Sequence, residues 1–326
     1  MIQILFFAPL ASSSALLRAK DDVPLRSPVT RTPAAGHLDR PLRGILLVLA
    51  STIFLAASDV TAKYLAGSLP VIQVAWMRFA VFALIMLLAA IWCRQFNPLT
   101  SKRPGLQIVR GLGLVGSAVL FISALQVLPV AEASAITFVS PIFVTALSIP
   151  FLGETIGWRR WTAAVIGLLG VLVIVRPGTG AFHPGAILPI LSSFCWAIAL
   201  VATRRTSASD DARTTMTYSA LVGLACLTLL VPFFWETPSW REILLGTFVG
   251  ASSTAGNWMV VIAFRYAGAS VLAPFSYSQI LWATLLGYLV FGAIPDGWTW
   301  LGAGVIIASS LYSAHRERIR ARPRPR

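Results

Sequence analysis

From residue 44 onward the chain alternates between long apolar runs and short polar breaks. Ten runs can be delimited, at about 44–65, 70–92, 106–127, 131–151, 158–176, 184–203, 214–234, 242–263, 270–291 and 297–314. Each is close to the roughly 20 residues that carry a helix across a bilayer. A lone strand would leave backbone polar groups unpaired in hydrocarbon, so all ten are predicted to be helices. The breaks hold turn-forming residues, among them Gly67-Ser68-Leu69-Pro70, Asn97-Pro98, Pro177-Gly178, Pro238-Ser239 and Pro295-Asp296-Gly297.

Residues 1–43 follow another pattern. The apolar patch Met1 to Leu17 is interrupted by Pro9 and by Ser12, Ser13 and Ser14, and it is too short to span. Its charges follow the patch, whereas a secretory signal carries them in front. The segment reads as a disordered extension or a misplaced start, with an interfacial or signal-like segment as the alternative. Arg18 to Arg43 is rich in proline and charge and reads as loop.

Composition narrows the class. Of 326 residues, 57% are hydrophobic and 12% charged, and the mean hydropathy is +0.78. A soluble globule carries about 25% charged residues to cover its surface, so a water-soluble domain is excluded. Disordered chains are poor in apolar residues. Three cysteines without metal or disulfide spacing exclude a cross-linked scaffold. An integral membrane protein remains.

The net charge of +14 then reads as orientation. With the N-terminus cytoplasmic and ten alternating helices, the inner segments hold six basic residues from Arg18 to Arg43. They also hold Arg94, Lys102, Arg103, Arg110, Arg159, Arg160, Arg204, Arg205, Arg213 and Arg265, and six arginines from Arg316 to Arg326. That is 22 of the 26 lysines and arginines. Arg176 and Arg241 fall outside, and Lys63 and Arg78 lie within helices. This bias predicts both termini in the cytoplasm and attraction to anionic lipid. The Arg-Pro tail has no aromatic residues for stacking, so nucleic acid is not an expected partner.

Two stretches resemble each other. Gly153-Glu154-Thr155-Ile156-Gly157-Trp158-Arg159-Arg160-Trp161 closes one run and opens the next. Gly292-Ala293-Ile294-Pro295-Asp296-Gly297-Trp298-Thr299-Trp300 does the same 139 residues later (Gly153 to Gly292), aligning Trp161 with Trp300. Five helices separate them, and an odd number reverses direction. The expected fold is all-α and polytopic: ten transmembrane helices arranged as two inverted five-helix repeats. The expected divisions are a tail at 1–43, repeats at 44–180 and 181–314, and a basic tail at 315–326. Inverted repeats of this kind occur in secondary transporters, with the substrate held midway between them.

Several motifs stand in order along the chain: Ser58-Asp59-Val60-Thr61-Ala62-Lys63-Tyr64-Leu65 and Trp76-Met77-Arg78-Phe79, then Ser140-Pro141-Ile142-Phe143, Leu152-Gly153-Glu154 and Ala273-Pro274-Phe275-Ser276-Tyr277. In these residues the chain resembles the EamA-type, ten-helix branch of the drug/metabolite transporter superfamily. The likeness covers roughly 44–314; Ala293 departs from it where the family often repeats Gly-Glu. It implies transport of a small organic metabolite across the inner (plasma) membrane. Members with a similar pattern import S-adenosylmethionine or riboflavin, and others export amino acids or drugs, so direction and substrate stay open.

Charge within spans is costly, by roughly 2.5–3.5 kcal/mol per group on insertion scales, and it needs partners. Asp59 and Lys63 are four apart and share a helix face. Counting rise per residue places Asp59 and Arg78 at similar depth on neighbouring helices. Two readings stand together: a fixed ion pair locking the helices, and contacts to substrate or gate. Lys63 either snorkels or reaches Glu132. Trp76, Ser140, Trp196, Asn257, Trp258, Tyr277, Gln279 and Trp282 are placed at mid-depth. Their aromatic faces and hydrogen-bonding groups suit a flat organic solute, against a reading as helix packing. The expected substrate-binding set is Asp59, Lys63, Trp76, Arg78, Ser140, Asn257, Tyr277, Gln279 and Trp282. Pro141 and Pro274 free backbone carbonyls within their runs.

Gly111-Leu112-Gly113-Leu114-Val115-Gly116 matches the dinucleotide fingerprint but sits inside an apolar helix with no strand before it. Close helix approach is the better account, as it is for Gly167 and Gly170. His37, His183 and His315 lie in tails or loops; there is no phosphate loop, metal pair or activated nucleophile. No enzyme, cofactor or metal is therefore expected. Without an ATP site the driving force is a gradient of ion, proton or substrate, and Asp59 is the candidate proton-coupling group. The rivals from other classes are an intramembrane enzyme and a membrane scaffold. Glu154 reads as a helix cap, and nothing in the sequence sets an oligomeric state.

Overall fold

The structure is a computed structural model that describes residues 41–92, 100–153, 158–176, 183–206, 209–263, 266–267 and 269–320. The expectations for residues 1–40, Cys93, Arg94, the Asn97-Pro98 and Pro177-Gly178 breaks, Glu154, Arg265 and 321–326 lie outside these residues.

The described residues form twelve α-helices. They are α1 Pro41–Leu65, α2 Val71–Trp92, α3 Pro104–Val127, α4 Val130–Thr137, α5 Ser140–Leu152, α6 Trp158–Val175, α7 Ile187–Thr206, α8 Ala212–Leu230, α9 Trp240–Ala263, α10 Ala269–Ser276, α11 Ser278–Phe291 and α12 Gly297–Arg320. Short 3₁₀ turns lead into α7 (Pro184–Ala186) and follow α8 (Val231–Phe234). Six spans among the described residues are long and apolar enough to cross a bilayer. The fold is all-helical and polytopic.

Two apolar runs that read as continuous are each broken in the middle. The fourth run divides into α4 and α5 at Phe138 and Val139, and the ninth into α10 and α11 at Tyr277. Pro141 lacks the N–H that would bond the carbonyl of Thr137. The Ser193 hydroxyl of α7 reaches that oxygen at 3.1 Å, sharing its proton with the Pro189 carbonyl of its own helix at 2.8 Å. Pro274 removes the corresponding bond within α10. Both broken runs end on a left-handed glycine, Gly153 (φ 68°) and Gly292 (φ 66°), where a side chain would be strained. The breaks and the caps share the same spacing: Phe138 to Tyr277 equals Gly153 to Gly292. The tenth run also extends past its apolar limit, since α12 continues to Arg320.

Helix packing follows an exchange in which α1 to α6 swap with α7 to α12. The pairs α3·α7 and α9·α1 correspond, as do α3·α8 with α9·α2 and α5·α7 with α11·α1. The self-matching pairs α2·α8 and α6·α12 are also present. Small residues allow the closest approaches. A Cβ on Gly302 of α12 would stand 2.5 Å from the Gly170 carbonyl of α6, so these backbones are in contact. Gly111, Gly113 and Gly116 do the same for α3 against Val222, Ala199 and Cys195.

Polar side chains are enclosed beside the apolar core, while large apolar side chains face outward. Ser51, Ser58, Gln73 and Gln107 are fully enclosed, while Leu84, Leu88 and Ile91 of α2 and Leu168, Leu169 and Leu172 of α6 are exposed. Leucines on the outside and hydroxyls and amides within suit lipid as solvent, because polar groups there must find internal partners.

Candidate functional site

The break at Tyr277 exposes the first turn of α11, whose N–H groups and partial positive charge are not used up within the helix. Asp59 of α1 lies against this turn. Its carboxylate is buried (6% exposed) and accepts a hydrogen bond from Gln279 Nε2 at 3.2 Å. Two turns earlier, Thr52 and Ser278 share a 2.7 Å hydroxyl bond. Helix α1 is thus tied at two levels to the start of α11. Arg78 of α2 stands close enough for its charge and that of Asp59 to act on each other. Among the described residues no salt bridge joins them. Equal depth brings the charges near, but the amide of Gln279 takes the contact.

Lys63 is partly exposed, and among the described residues no salt bridge joins it to Glu132. Its ammonium donates to the carbonyls of Leu125 (2.7 Å) and Leu128 (2.5 Å) and lies 5.5 Å from the Phe291 ring centroid. These are the unsatisfied carbonyls ending α3, where a cation is stabilised by the helix dipole. Lys63 also lines a cavity of about 260 Å³ with Leu128, Val130, Ala131, Gly287 and Phe291.

The remaining expected residues divide. Tyr277 packs on Phe138 across the two breaks, with ring centroids 4.8 Å apart. Ser140 opens α5 beside that contact and is partly exposed. Trp282 packs on the main apolar core, with its Nε1 buried and without a hydrogen bond. Asn257 donates to the Ser253 carbonyl of its own helix at 2.8 Å. Trp76 is five residues into α2, not at mid-depth. It donates to Thr228 Oγ1 at 2.9 Å near the end of α8 and meets Trp235 edge-on at 6.0 Å. Asp59, Tyr277 and Gln279 therefore gather around one helix break, Arg78 acts on Asp59 by charge alone, Lys63 lies a turn beyond Asp59, and Trp76 and Asn257 are engaged elsewhere.

Polar bridges between the first six helices and the last six occur at both ends. At the arginine-rich end, Arg110 donates to Thr203 Oγ1 (2.8 Å), the Thr215 carbonyl (3.0 Å) and the Ser219 hydroxyl. Asp210 accepts from Ser101 (2.5 Å), Gln107 (2.8 Å) and the Lys102 N–H (3.0 Å). Partial burial raises the Asp210 carboxyl, but these bonds and one from Ser209 outweigh it and hold the group below the usual carboxylate range. At the opposite end Gln73 grips Glu236 through both backbone groups, at 2.7 and 3.0 Å. Arg176 pairs there with Asp296 at 2.5 Å. Phe138, Gln73 and Arg110 were not singled out by sequence. Gln73 and Arg110 carried a signal, as polar groups inside apolar runs. Phe138 carried none except its place in the repeat.

Comparison with known proteins supplies the family. The model of the EamA-like transporter family matches residues 42–176 and again 183–314. The S-adenosylmethionine uptake transporter of Rickettsia felis is 30% identical over 277 residues, covering 85% of this chain and 94% of that one. The riboflavin transporter of Vibrio cholerae is 28% identical over 288 residues, covering 86% and 96%. The pseudopaline exporter CntI of Pseudomonas aeruginosa is 27% identical over 278 residues, covering 84% and 96%. A solved crystal structure at 20% identity superposes with a TM-score of 0.60 over 85% of this chain and 99% of its own, which speaks to the fold alone. The helices broken in mid-run, the enclosed polar groups beneath an outer face of leucine and the paired family matches meet in one conclusion: the chain belongs to the EamA-like transporter family.

Proposed function

We propose that this protein is a secondary carrier that moves a small, flat organic metabolite across the inner (plasma) membrane by alternating access. Both termini lie in the cytoplasm, in keeping with the arginine-rich end formed by Arg103, Arg110, Arg204 and Arg205. The substrate class is nucleoside-like or heteroaromatic, with S-adenosylmethionine and riboflavin as the compounds to test first. The observation that carries this reading is the Asp59–Gln279 bond at the break between α10 and α11. It places a buried carboxylate, an amide and the Tyr277–Phe138 ring pair around one interrupted helix. Discontinuous helices supply free backbone groups for a substrate at the midplane, and the relatives' names point to the same compounds.

In this reading Asp59 and Arg78 meet the charged groups of the solute and Asp59 is the coupling proton's site. Tyr277, Gln279, Ser140 and Trp282 shape the cavity. Lys63, Trp76 and Asn257 act nearer its edges. Neither a chemical transformation nor a cofactor belongs to the cycle. Export is the second reading, favoured by the 27% identity to the pseudopaline exporter.

Counterflow tests the proposal. Proteoliposomes loaded with unlabelled S-adenosylmethionine or riboflavin should accumulate the labelled compound, and Asp59→Asn should reduce the initial rate at least tenfold. Absence of counterflow for both compounds, with correctly reconstituted protein, would remove the substrate assignment.

A further inference from the structure

Phe138 has entered so far only as the ring packed on Tyr277, yet its position is singular. It occupies the break between α4 and α5, and Tyr277 occupies the break between α10 and α11. The two are separated by the same number of residues as the matching left-handed caps Gly153 and Gly292. They are therefore equivalent positions of the two halves. Two equivalent residues touch only where the axis relating the halves passes between them. Their ring centroids are 4.8 Å apart and inclined at 48°, so the axis runs through this contact. The backbones agree: Phe138 has φ −69° and ψ 2°, and Tyr277 has φ −69° and ψ −13°.

The packing on either side of the pair differs. Toward the cavity beside Lys63, α11 packs against α4. Among the described residues no comparable packing joins the equivalent helices α5 and α10 on the other side. The ring pair thus lies where the joined helices end and the parted ones begin. A side chain on the axis keeps its place when the two halves exchange conformations, whereas the off-axis packing of α11 on α4 is made on one side only.

The geometry points to Phe138 and Tyr277 as the central barrier of the carrier: two rings, one from each half, that stay in contact and seal the midplane in both access states. This rests on the alternating-access reading. Two aromatic faces have the area to exclude water with little conformational freedom to lose. Helix ends on either side allow α4 and α5, or α10 and α11, to tilt about the rings instead of dragging them apart.

Release of labelled erythritol from proteoliposomes tests the barrier without any transported substrate. Phe138→Ala and Tyr277→Ala should each speed release about tenfold over wild type, and Phe138→Tyr and Tyr277→Phe should remain tight. Val139→Ala, at the buried neighbour of Phe138, should also remain tight. Equal leakage from Val139→Ala would mean general loosening and would overturn the assignment, as would tight vesicles from both alanine variants that elute as monodisperse protein. Wild-type vesicles that move neither S-adenosylmethionine nor riboflavin, while Phe138→Ala leaks erythritol, would remove the substrate reading and leave the barrier standing.

Discussion

Asp59 makes its hydrogen bond to a residue 220 positions away. Its depth was legible by counting from the end of its run, and so was its proximity to Arg78. Gln279 could not be found in that way, because its contact depends on where the ninth run breaks and how it turns. The consequence is a specific energetic pattern. A hydrogen bond to a charged group contributes about 1.5–3 kcal/mol, while charges held apart beyond contact contribute less. A double-mutant cycle of Asp59→Asn with Gln279→Leu, read by thermal unfolding in detergent, should give a coupling of about 1–2 kcal/mol. The cycle of Asp59→Asn with Arg78→Gln should give a smaller one. A larger coupling to Arg78 than to Gln279 would contradict this geometry.

Helices α6 and α12 form one of the two self-matching pairs, and their contact is made of glycine backbone. The hydropathy of the runs marked both helices and Gly170 stood out as a close-approach residue, but Gly302 did not, since a glycine's neighbour across a helix interface leaves no trace in local sequence. The same limit hid the breaks at Phe138 and Tyr277. Apolar character is unchanged across them, and the hydroxyl that reaches the Thr137 carbonyl belongs to α7. Pro141 and Pro274 were visible as disruptions, while their result was not. Overpacking a filled interface costs about 1–3 kcal/mol. A methyl on Gly302 would meet both the Gly170 carbonyl and Ile174 Cγ1 at 2.5 Å. Gly302→Ala should therefore lower stability by that amount in thermal unfolding. Gly304→Ala on the same helix, where a Cβ meets nothing within 4 Å, should be close to neutral. Similar losses at both positions would argue against a backbone contact.

At the scale of the whole molecule, the exchange between halves is broken at the link between α6 and α12. Arg176, the single non-glycine with positive φ (47°) among the described residues, pairs with Asp296 at 2.5 Å. Asp296 also caps α12 by accepting from the Thr299 N–H (2.9 Å) and hydroxyl (2.7 Å). Shifted by the repeat spacing, the equivalent positions hold His315 and Gly157, which offer no acid and base to pair. The lock thus exists at one end only, the end where α11 packs on α4. Both partners are partly solvated, 28% and 42% exposed, so the pair contributes at most about 1 kcal/mol. That suffices to tilt two access states by about fivefold. Asp296→Asn should accordingly raise the labelling rate of a cysteine at Ala293, beside the Lys63 cavity, by up to about fivefold. The exchange Arg176→Asp with Asp296→Arg should return it toward wild type. Partial burial raises the Asp296 carboxyl, but its bonds to Thr299 and the charge of Arg176 outweigh that and hold it below the usual carboxylate range. A depressed folded value means that the lock contributes fully above the unfolded value and is lost only as pH falls through the folded one. The wild-type labelling rate, corrected for thiolate reactivity, should therefore be flat between about pH 5 and 8. A pH-dependent rise within that window that Asp296→Asn abolishes would show the carboxyl titrating there and would refute a lock that stays ionised.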